Sequence, residues 1–233
     1  MSLSSDFSTV SRIGIDESGK GDYFGPLVIA AVFVNPVAQQ DLVLMRVRDS
    51  KKIADGPIVE MALKIRQLCP HSTVSIGPQR YNELYAKIQN LNRLLAWGHA
   101  RALENLLLRV DCDLAIADQF GDERLILNAL QEKGKRIRLV QRTKGEADVA
   151  VAAASILARA EFLQRLSKLS QELNMVLPKG ASPAVKVAAV TLIRRYGQER
   201  LHTIAKLHFN TTKQILGDLK PIPRPRNSPL GRD

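Results

Sequence analysis

Leu27 to Val34 is an unbroken run of apolar, largely β-branched residues. A strand with one face in water alternates apolar with polar residues, so this run predicts a central strand covered on both faces. Such a strand needs a sheet with a layer on each side, and the rest of the chain supplies both. Ser11 to Asp16 alternates Ile13 and Ile15 with Arg12 and Gly14, which predicts a strand ending at a carboxylate pair. Further strands are predicted at Ser72–Ile76, at Leu114–Ala117 running into Asp118, and at Ile137–Val140. Apolar residues at three- and four-residue intervals predict helices over Ile58–Leu68, Pro78–Ile88, Leu91–Val110, Glu123–Glu132 and Glu146–Leu173. Within the last of these, Val149–Ala158 is apolar or small on every side and should be buried. Ser182-Pro183 has the form of an N-cap and first-turn pair for a final long helix through Tyr196. Strands that begin as a hairpin-linked set and later alternate with helices describe an α/β fold, with a mixed central β-sheet flanked by α-helices.

A chain of 233 residues accommodates one sizeable core. The predicted organisation is a flexible N-terminus over 1–11, one domain over 12–216 and a proline-rich basic tail over 217–233 that is expected to be disordered. No apolar run approaches the ~20 residues of a bilayer span, and Met1 to Arg12 lacks the basic start and apolar stretch of a secretory signal. The expectation is therefore a cytoplasmic protein with no membrane contact. Cys69 and Cys112 stand alone, without zinc-ligand spacing, and read as small apolar residues. The formal net charge of +11 points to a polyanionic partner. Its distribution says more: residues 1–57 and 111–150 each sum to −1, while 151–216 carry +7. Acid-rich stretches set in a basic chain suit a protein that attracts phosphates and holds cations among them.

Asp16, Glu17, Asp118 and Asp148 each lie at a predicted strand end or helix start, within apolar or glycine-rich sequence. Functional sites in mixed α/β sheets collect at strand ends, so Asp16 and Asp118 could face one crevice, with Asp148 completing it. Carboxylates gathered in this way repel one another unless cations neutralise them. Oxygen donors without His or Cys favour Mg²⁺ or Mn²⁺ over zinc, and two such ions can serve a phosphodiester displacement. Taken singly, such an acid is more often a helix cap or dipole partner, so the combination matters more than any member. Gly19-Lys20-Gly21 follows the first pair directly; its glycines admit a close backbone approach to a nucleic-acid strand, and Lys20 offers charge to a phosphate. It is not a phosphate-binding P-loop, since no Gly-x-x-x-x-Gly-Lys-Ser/Thr pattern occurs. An ordinary hairpin turn is the alternative.

Asp16-Glu17-Ser18-Gly19-Lys20-Gly21-Asp22-Tyr23-Phe24-Gly25-Pro26 closely resembles the opening signature of bacterial ribonuclease HIII, a relative of ribonuclease HII. The resemblance continues through Asp49-Ser50-Lys51-Lys52, Ala96-Trp97-Gly98-His99-Ala100, Asp118-Gln119-Phe120, Lys144-Gly145-Glu146-Ala147-Asp148, Leu177-Pro178-Lys179-Gly180 and Lys206-Leu207-His208-Phe209. It covers nearly all of residues 12–216. It implies a ribonuclease H-like fold and an endoribonuclease that cuts the RNA strand of an RNA/DNA hybrid. It also implies that Asp16, Glu17, Asp118 and Asp148 stand at the family's metal-binding acidic positions, the same four residues the strand-end argument selects. Gly19–Gly21 resembles the family's minor-groove segment that senses the 2′-hydroxyl, the group that distinguishes RNA from DNA. Ribonuclease HII usually shows Gly-Arg-Gly there and His-Lys-Gly-Tyr later. Lys20 and Pro178-Lys179-Gly180-Ala181 favour the HIII branch. Members of that branch typically carry an N-terminal substrate-binding domain, whereas about a dozen residues precede the first motif here.

The expected mechanism has Asp16 bridging two Mg²⁺ or Mn²⁺ ions, with Glu17, Asp118 and Asp148 completing the shells and 3′-hydroxyl and 5′-phosphate ends as products. Ser18, Ser50, Lys51 and Lys144 join Gly19–Gly21 as expected nucleic-acid contacts. Tyr23 and Phe24 read as packing at the hairpin base, with stacking on a sugar or base as the other reading. His99, His208 and Trp97 read as core residues. No obligatory protein partner is indicated. The alternatives are cleavage at single ribonucleotides in DNA, as in ribonuclease HII, DNA-directed cleavage by another ribonuclease H-like nuclease, and a non-catalytic hybrid-binding module.

Overall fold

The computed structural model describes residues 10–48, 50 and 53–218. The expectations for the extreme N-terminus, for Lys51 and for the tail from residue 219 onward lie outside the described residues. Five strands form one sheet in the order β3-β2-β1-β4-β5. β1 (Arg12–Ser18), β2 (Leu27–Val34) and β3 (His71–Ile76) are antiparallel neighbours, while β4 (Leu114–Asp118) and β5 (Arg138–Arg142) continue from β1 in parallel. The sheet is therefore mixed, and β2, predicted as covered on both faces, lies between β1 and β3 with almost no exposed surface.

Helices cover the two faces unequally. On one face α6 (Val149–Glu172) lies across β1 and β2, buttressed by α1 (Pro36–Leu44), α2 (Asp55–Leu68), α7 (Pro183–Tyr196) and α8 (Asn210–Asp218). On the other, α4 (Leu91–Leu107), α3 (Pro78–Ile88) and α5 (Glu123–Ala129) close over Ile13, Ile15, Ile29 and Ala31. Pleating divides the two sets: Ile13 and Ile15 face α4, while Gly14 and Asp16 face α6. Gly14 lets α6 come close. A Cβ there would stand 2.0 Å from the Ala150 carbonyl carbon and 2.2 Å from the Val151 nitrogen. No helix among the described residues is long and apolar enough to cross a membrane.

The structure departs from the sequence reading at several boundaries, each for a local reason. α1 was not predicted, because Val37, Val43 and Leu44 face solvent and leave little amphipathic pattern. Its signal is the Asn35-Pro36 pair, with the Asn35 side chain accepting from the Ala38 amide at 2.8 Å. α8 begins inside the domain and runs past Gly217. α5 ends at Ala129, short of Glu132. There the buried Glu104 of α4 accepts from the amides of Gln131 at 2.6 Å and Gly134 at 2.9 Å, turning the chain toward β5. α6 starts at Val149, after a 3₁₀ turn over Gly145–Ala147. Trp97, read as core, is 37% exposed, because the neighbouring turns of α4 bury Leu94, Leu95 and Gly98 instead.

Gly14→Ala should cost about 1–3 kcal/mol or more, because backbone rather than a flexible side chain blocks the added methyl. Gly56→Ala in α2, where the space is open, should be neutral or stabilise by about 0.4–1 kcal/mol. Thermal melts of the two variants check both signs.

Candidate active site

The C-terminal ends of β1 and β4 lie side by side and bring Asp16, Glu17 and Asp118 to one edge of the sheet. Beside them opens a cleft of about 510 Å³, lined by Glu17 to Asp22, Ser50, Asp118, Phe120, Ser155, Arg159 and Lys179. Asp16 points toward α6, where it is hydrogen-bonded to Ser155 and accepts from the Glu17 amide at 2.8 Å. Burial first, and then the neighbouring Glu17 charge, pushes its carboxyl up to about 8, with Asp118 adding to the effect. Glu17 is treated differently. Burial would raise it too, but His99 Nε2 lies 3.0 Å from its Oε2 and Lys20 Nζ 3.6 Å from its Oε1. Together these contacts hold Glu17 below its ordinary value. Asp118 accepts from the Gly145 amide at 2.9 Å.

The loop after β1 is shaped by Gly19 at φ +89°, where a Cβ would meet the Pro26 carbonyl oxygen at 2.2 Å. It carries Ser18, Lys20 and Gly21 along the cleft. Ser50 is brought to the same place from a distant segment. Its hydroxyl lies 2.6 Å from that of Ser155, and its carbonyl accepts from Arg159. Arg159 and Lys179 also share the Asp55 carboxylate, each at 2.6 Å. Lys51 lies outside the described residues. Lys144, with a left-handed φ of 58°, is exposed and away from the cleft lining.

Asp148 does not line the cleft and has partners of its own. It is the N-cap of α6: one oxygen accepts from the Ala150 amide at 2.8 Å, and the other meets the buried Arg12 guanidinium at 2.7 Å. The acidic residue closest in sequence to the Gly145 contact with Asp118 is instead Glu146, which is half-buried. His99, expected to be a core residue, is fully buried and stacks near Phe120, but its Nε2 is committed to Glu17. Its Nδ1 is buried with no hydrogen-bond partner among the described residues, so a proton on Nε2 satisfies the pair with Glu17. The sequence reading assigned no role to Ser155, Arg159, Lys179 or Phe120. The signal available was the spacing of Ser155 and Arg159, four apart and so on one face of α6. Tyr23 and Phe24 are buried at the hairpin base and do not line the cleft.

The donors at the sheet edge are carboxylate oxygens, the hard type that suits Mg²⁺ or Mn²⁺, and the raised Asp16 carboxyl reflects burial first and the neighbouring Glu17 and Asp118 charges after it, a cost that a cation would offset. The set fits such an ion in chemistry. In arrangement it is not yet a cage: among the described residues no three His, Cys, Asp or Glu side chains converge at ligand distance. Glu17 is turned to His99 and Lys20, Asp118 to Gly145, and Asp148 to Arg12.

Comparison with known proteins places this edge in a family. Residues 13–212 match the family model for ribonuclease HII. The chain belongs to the ribonuclease HII family. Its curated relatives include ribonuclease HIII of Protochlamydia amoebophila (strain UWE25), 48% identical over 206 residues, which make up 88% of this chain and 68% of that protein. Ribonuclease HIII of Chlamydia pneumoniae is 47% identical over 88% of this chain and 70% of its own length. Among solved structures, Bst-RNase HIII in complex with Mn²⁺ superposes with a TM-score of 0.84 at 35% identity, covering 90% of this chain and 70% of that one. The ribonuclease H2 of Pyrococcus horikoshii OT3, at 22% identity and a TM-score of 0.76, shares the fold. The ribonuclease H-like architecture and the HIII resemblance read from the motifs are both borne out, and the chain is a ribonuclease H-type enzyme.

The Asp16 shift carries a stability prediction. A carboxyl raised to about 8 in the folded state, from an ordinary 3.8, favours folding below pH 4 and loses that contribution as pH rises through about 8. Asp16→Asn should therefore melt higher than wild type at pH 8 in the presence of chelator, with the gap closing toward pH 4. Equal melting temperatures at both pH values would show that the burial carries no penalty.

Proposed function

We propose that this enzyme hydrolyses the RNA strand of an RNA/DNA hybrid, leaving 3′-hydroxyl and 5′-phosphate ends. One observation carries the reading: Asp16, Glu17 and Asp118 share a sheet edge with a glycine-bent loop and a basic rim. Asp16, Glu17 and Asp118 would hold Mg²⁺ or Mn²⁺, with Asp148 as the expected fourth acid. The Mn²⁺ complex of Bst-RNase HIII supports that class of ion. When bound, such ions activate water and stabilise the leaving oxygen of a phosphodiester displacement.

The chain's own groups handle the rest. The backbone at Gly19–Gly21 follows the minor groove and meets the ribose 2′-hydroxyl, which a DNA strand lacks. Lys20, Arg159 and Lys179 offer cations to the phosphates on either side, and Ser50 reaches the cleft from the opposite wall. Lys51 and Lys144 are proposed as outer contacts to the nucleic acid. His99 fixes the Glu17 carboxylate from the dry side, so that its remaining lone pairs face the cleft.

The fourth acid has two readings. Asp148 is held by the buried Arg12 guanidinium and by the Ala150 amide, one contact on each oxygen, so it would serve through its remaining lone pairs or by leaving a buried ion pair that is costly to break. Glu146 follows Gly145, whose amide already touches Asp118, and among the described residues no ion pair holds it.

Asp118→Asn should lower cleavage of a labelled hybrid by several orders of magnitude in Mg²⁺ or Mn²⁺ while leaving hybrid affinity nearly intact. Wild-type rates in that variant would remove Asp118 from the chemistry. Comparing Asp148→Asn with Glu146→Gln decides the fourth position. A ligand lost from the site abolishes turnover at unchanged melting temperature, whereas loss of the Arg12 partner lowers the melting temperature and spares turnover in the cold.

A further inference from the structure

Lys206 is fully buried, an uncommon place for an ammonium group, and among the described residues it forms no ion pair, the nearby Asp22 charge acting on it without one. Its Nζ donates to the carbonyl oxygens of Asp22 at 2.7 Å and Gly25 at 2.8 Å, and lies 5.8 Å from the centre of the Tyr81 ring. Both carbonyls belong to the turn that follows the Gly19–Gly21 loop. The same turn is gripped along its backbone: the Lys206 amide donates to Tyr23 at 2.8 Å, Gly25 to Ile204 at 3.0 Å, and Tyr23 to Gly180 at 2.9 Å. The Gly180 amide in turn donates to the Asp22 carboxylate at 2.6 Å. Behind Lys206 the chain is splinted to α3. The Asn82 side-chain amide donates to the carbonyls of His202 and Ala205, and its oxygen accepts from the Leu207 amide at 2.9 Å.

We propose that Lys206 is a positioning residue for substrate recognition, its ammonium locking the turn at Asp22–Gly25 so that the Gly19–Gly21 backbone is held rigid where it meets the ribose. The inference rests on the proposed reading of that loop. Glycine-rich loops move freely unless something fixes them, and an ordered loop avoids the entropy cost of being ordered by its ligand. The Gly25 carbonyl is buried and the Asp22 carbonyl partly so, and removing the ammonium takes a donor from both, which makes this position hard to replace. Burial pushes the ammonium down to about 7, and a neutral amine still has two N–H donors for the two carbonyls, so the clamp does not require the charge. Lys206 is far in sequence from every acidic residue of the site and touches none of them, so its loss should act on recognition.

Lys206→Met keeps the bulk and removes the donors, Lys206→Arg keeps donors, and Asn82→Ala loosens the splint from a less buried place. Three measurements are made on each full-length variant below its melting temperature: amide hydrogen exchange at residues 19–25, Mn²⁺ affinity, and affinity in chelator for an RNA/DNA hybrid against a DNA duplex of the same sequence. Lys206→Met should speed exchange across 19–25 and reduce the hybrid-over-DNA preference by about tenfold, the scale of one or two lost hydrogen bonds, with Mn²⁺ affinity unchanged. Lys206→Arg should recover part of the preference, and Asn82→Ala should move it in the same direction by less. If Lys206→Met does not fold, Asn82→Ala alone carries the comparison. Unchanged exchange and unchanged preference in a variant that merely melts lower would overturn the inference. A wild-type protein that fails to prefer the hybrid would instead overturn the functional reading beneath it, before any variant is measured.

Discussion

The contact of α6 with β1 at Gly14 sets the rest of the molecule. Because a hydrogen stands where any other residue has a carbon, Ala150 and Val151 settle on the strand itself, and the small residues that follow keep α6 close along its first half. That closeness brings Ser155 over Asp16 and Arg159 over Ser50, and farther along it packs Phe162 against Gly19 and Gly25. A helix held a few ångströms higher would leave Asp16 in water and the loop after β1 without a floor. The same approach buries Arg12, which then takes Asp148 as its partner. One steric allowance thus determines which carboxylates face the cleft and which is drawn into the scaffold.

The three acids at the sheet edge occupy unlike environments although they lie close together. Asp16 is desolvated beside another carboxylate and resists ionisation, whereas Glu17, next to it in sequence, is stabilised as the anion by His99 and Lys20. Opposite shifts in adjacent carboxyls are what burial and a specific partner produce when pleating sends neighbouring side chains to opposite faces. Burial and the neighbouring charges together make an ionised Asp16 costly, and a divalent cation beside it would offset that cost.

The walls of the cleft are built from more distant parts of the chain. The loop at Gly19–Gly21 is stiffened from behind by residues near 180 and 206, and those are tied to α3 through Asn82. The basic rim is drawn from the loop itself, from α6 and from Lys179, with Asp55 holding Arg159 and Lys179 in a common orientation. Lysine and arginine spread through the second half of the chain as a surplus of charge become directional only where such acidic anchors fix them.

Local pattern was enough to establish the strands, most helices, the mixed sheet, the acids at strand ends and the need for glycine after β1. These depend on apolar periodicity, turn chemistry and burial, all of which are written within a few residues of where they act. α1 escaped because its exposed apolar residues blur the period, and α5 was read too long because its end is imposed by Glu104 from another helix. The partners of Glu17, Asp148 and Lys206 were beyond any local reading. His99 stands 82 positions from Glu17, Arg12 stands 136 from Asp148, and Lys206 stands 181 from Gly25. Which of a chain's buried polar groups meet depends on strand register and on how closely α6 approaches the sheet, and both are properties of the assembled layers. The amino-acid order therefore determined that acids stand at the ends of β1 and β4, while the assembled layers decided which distant partners Glu17, Asp148 and Lys206 would meet.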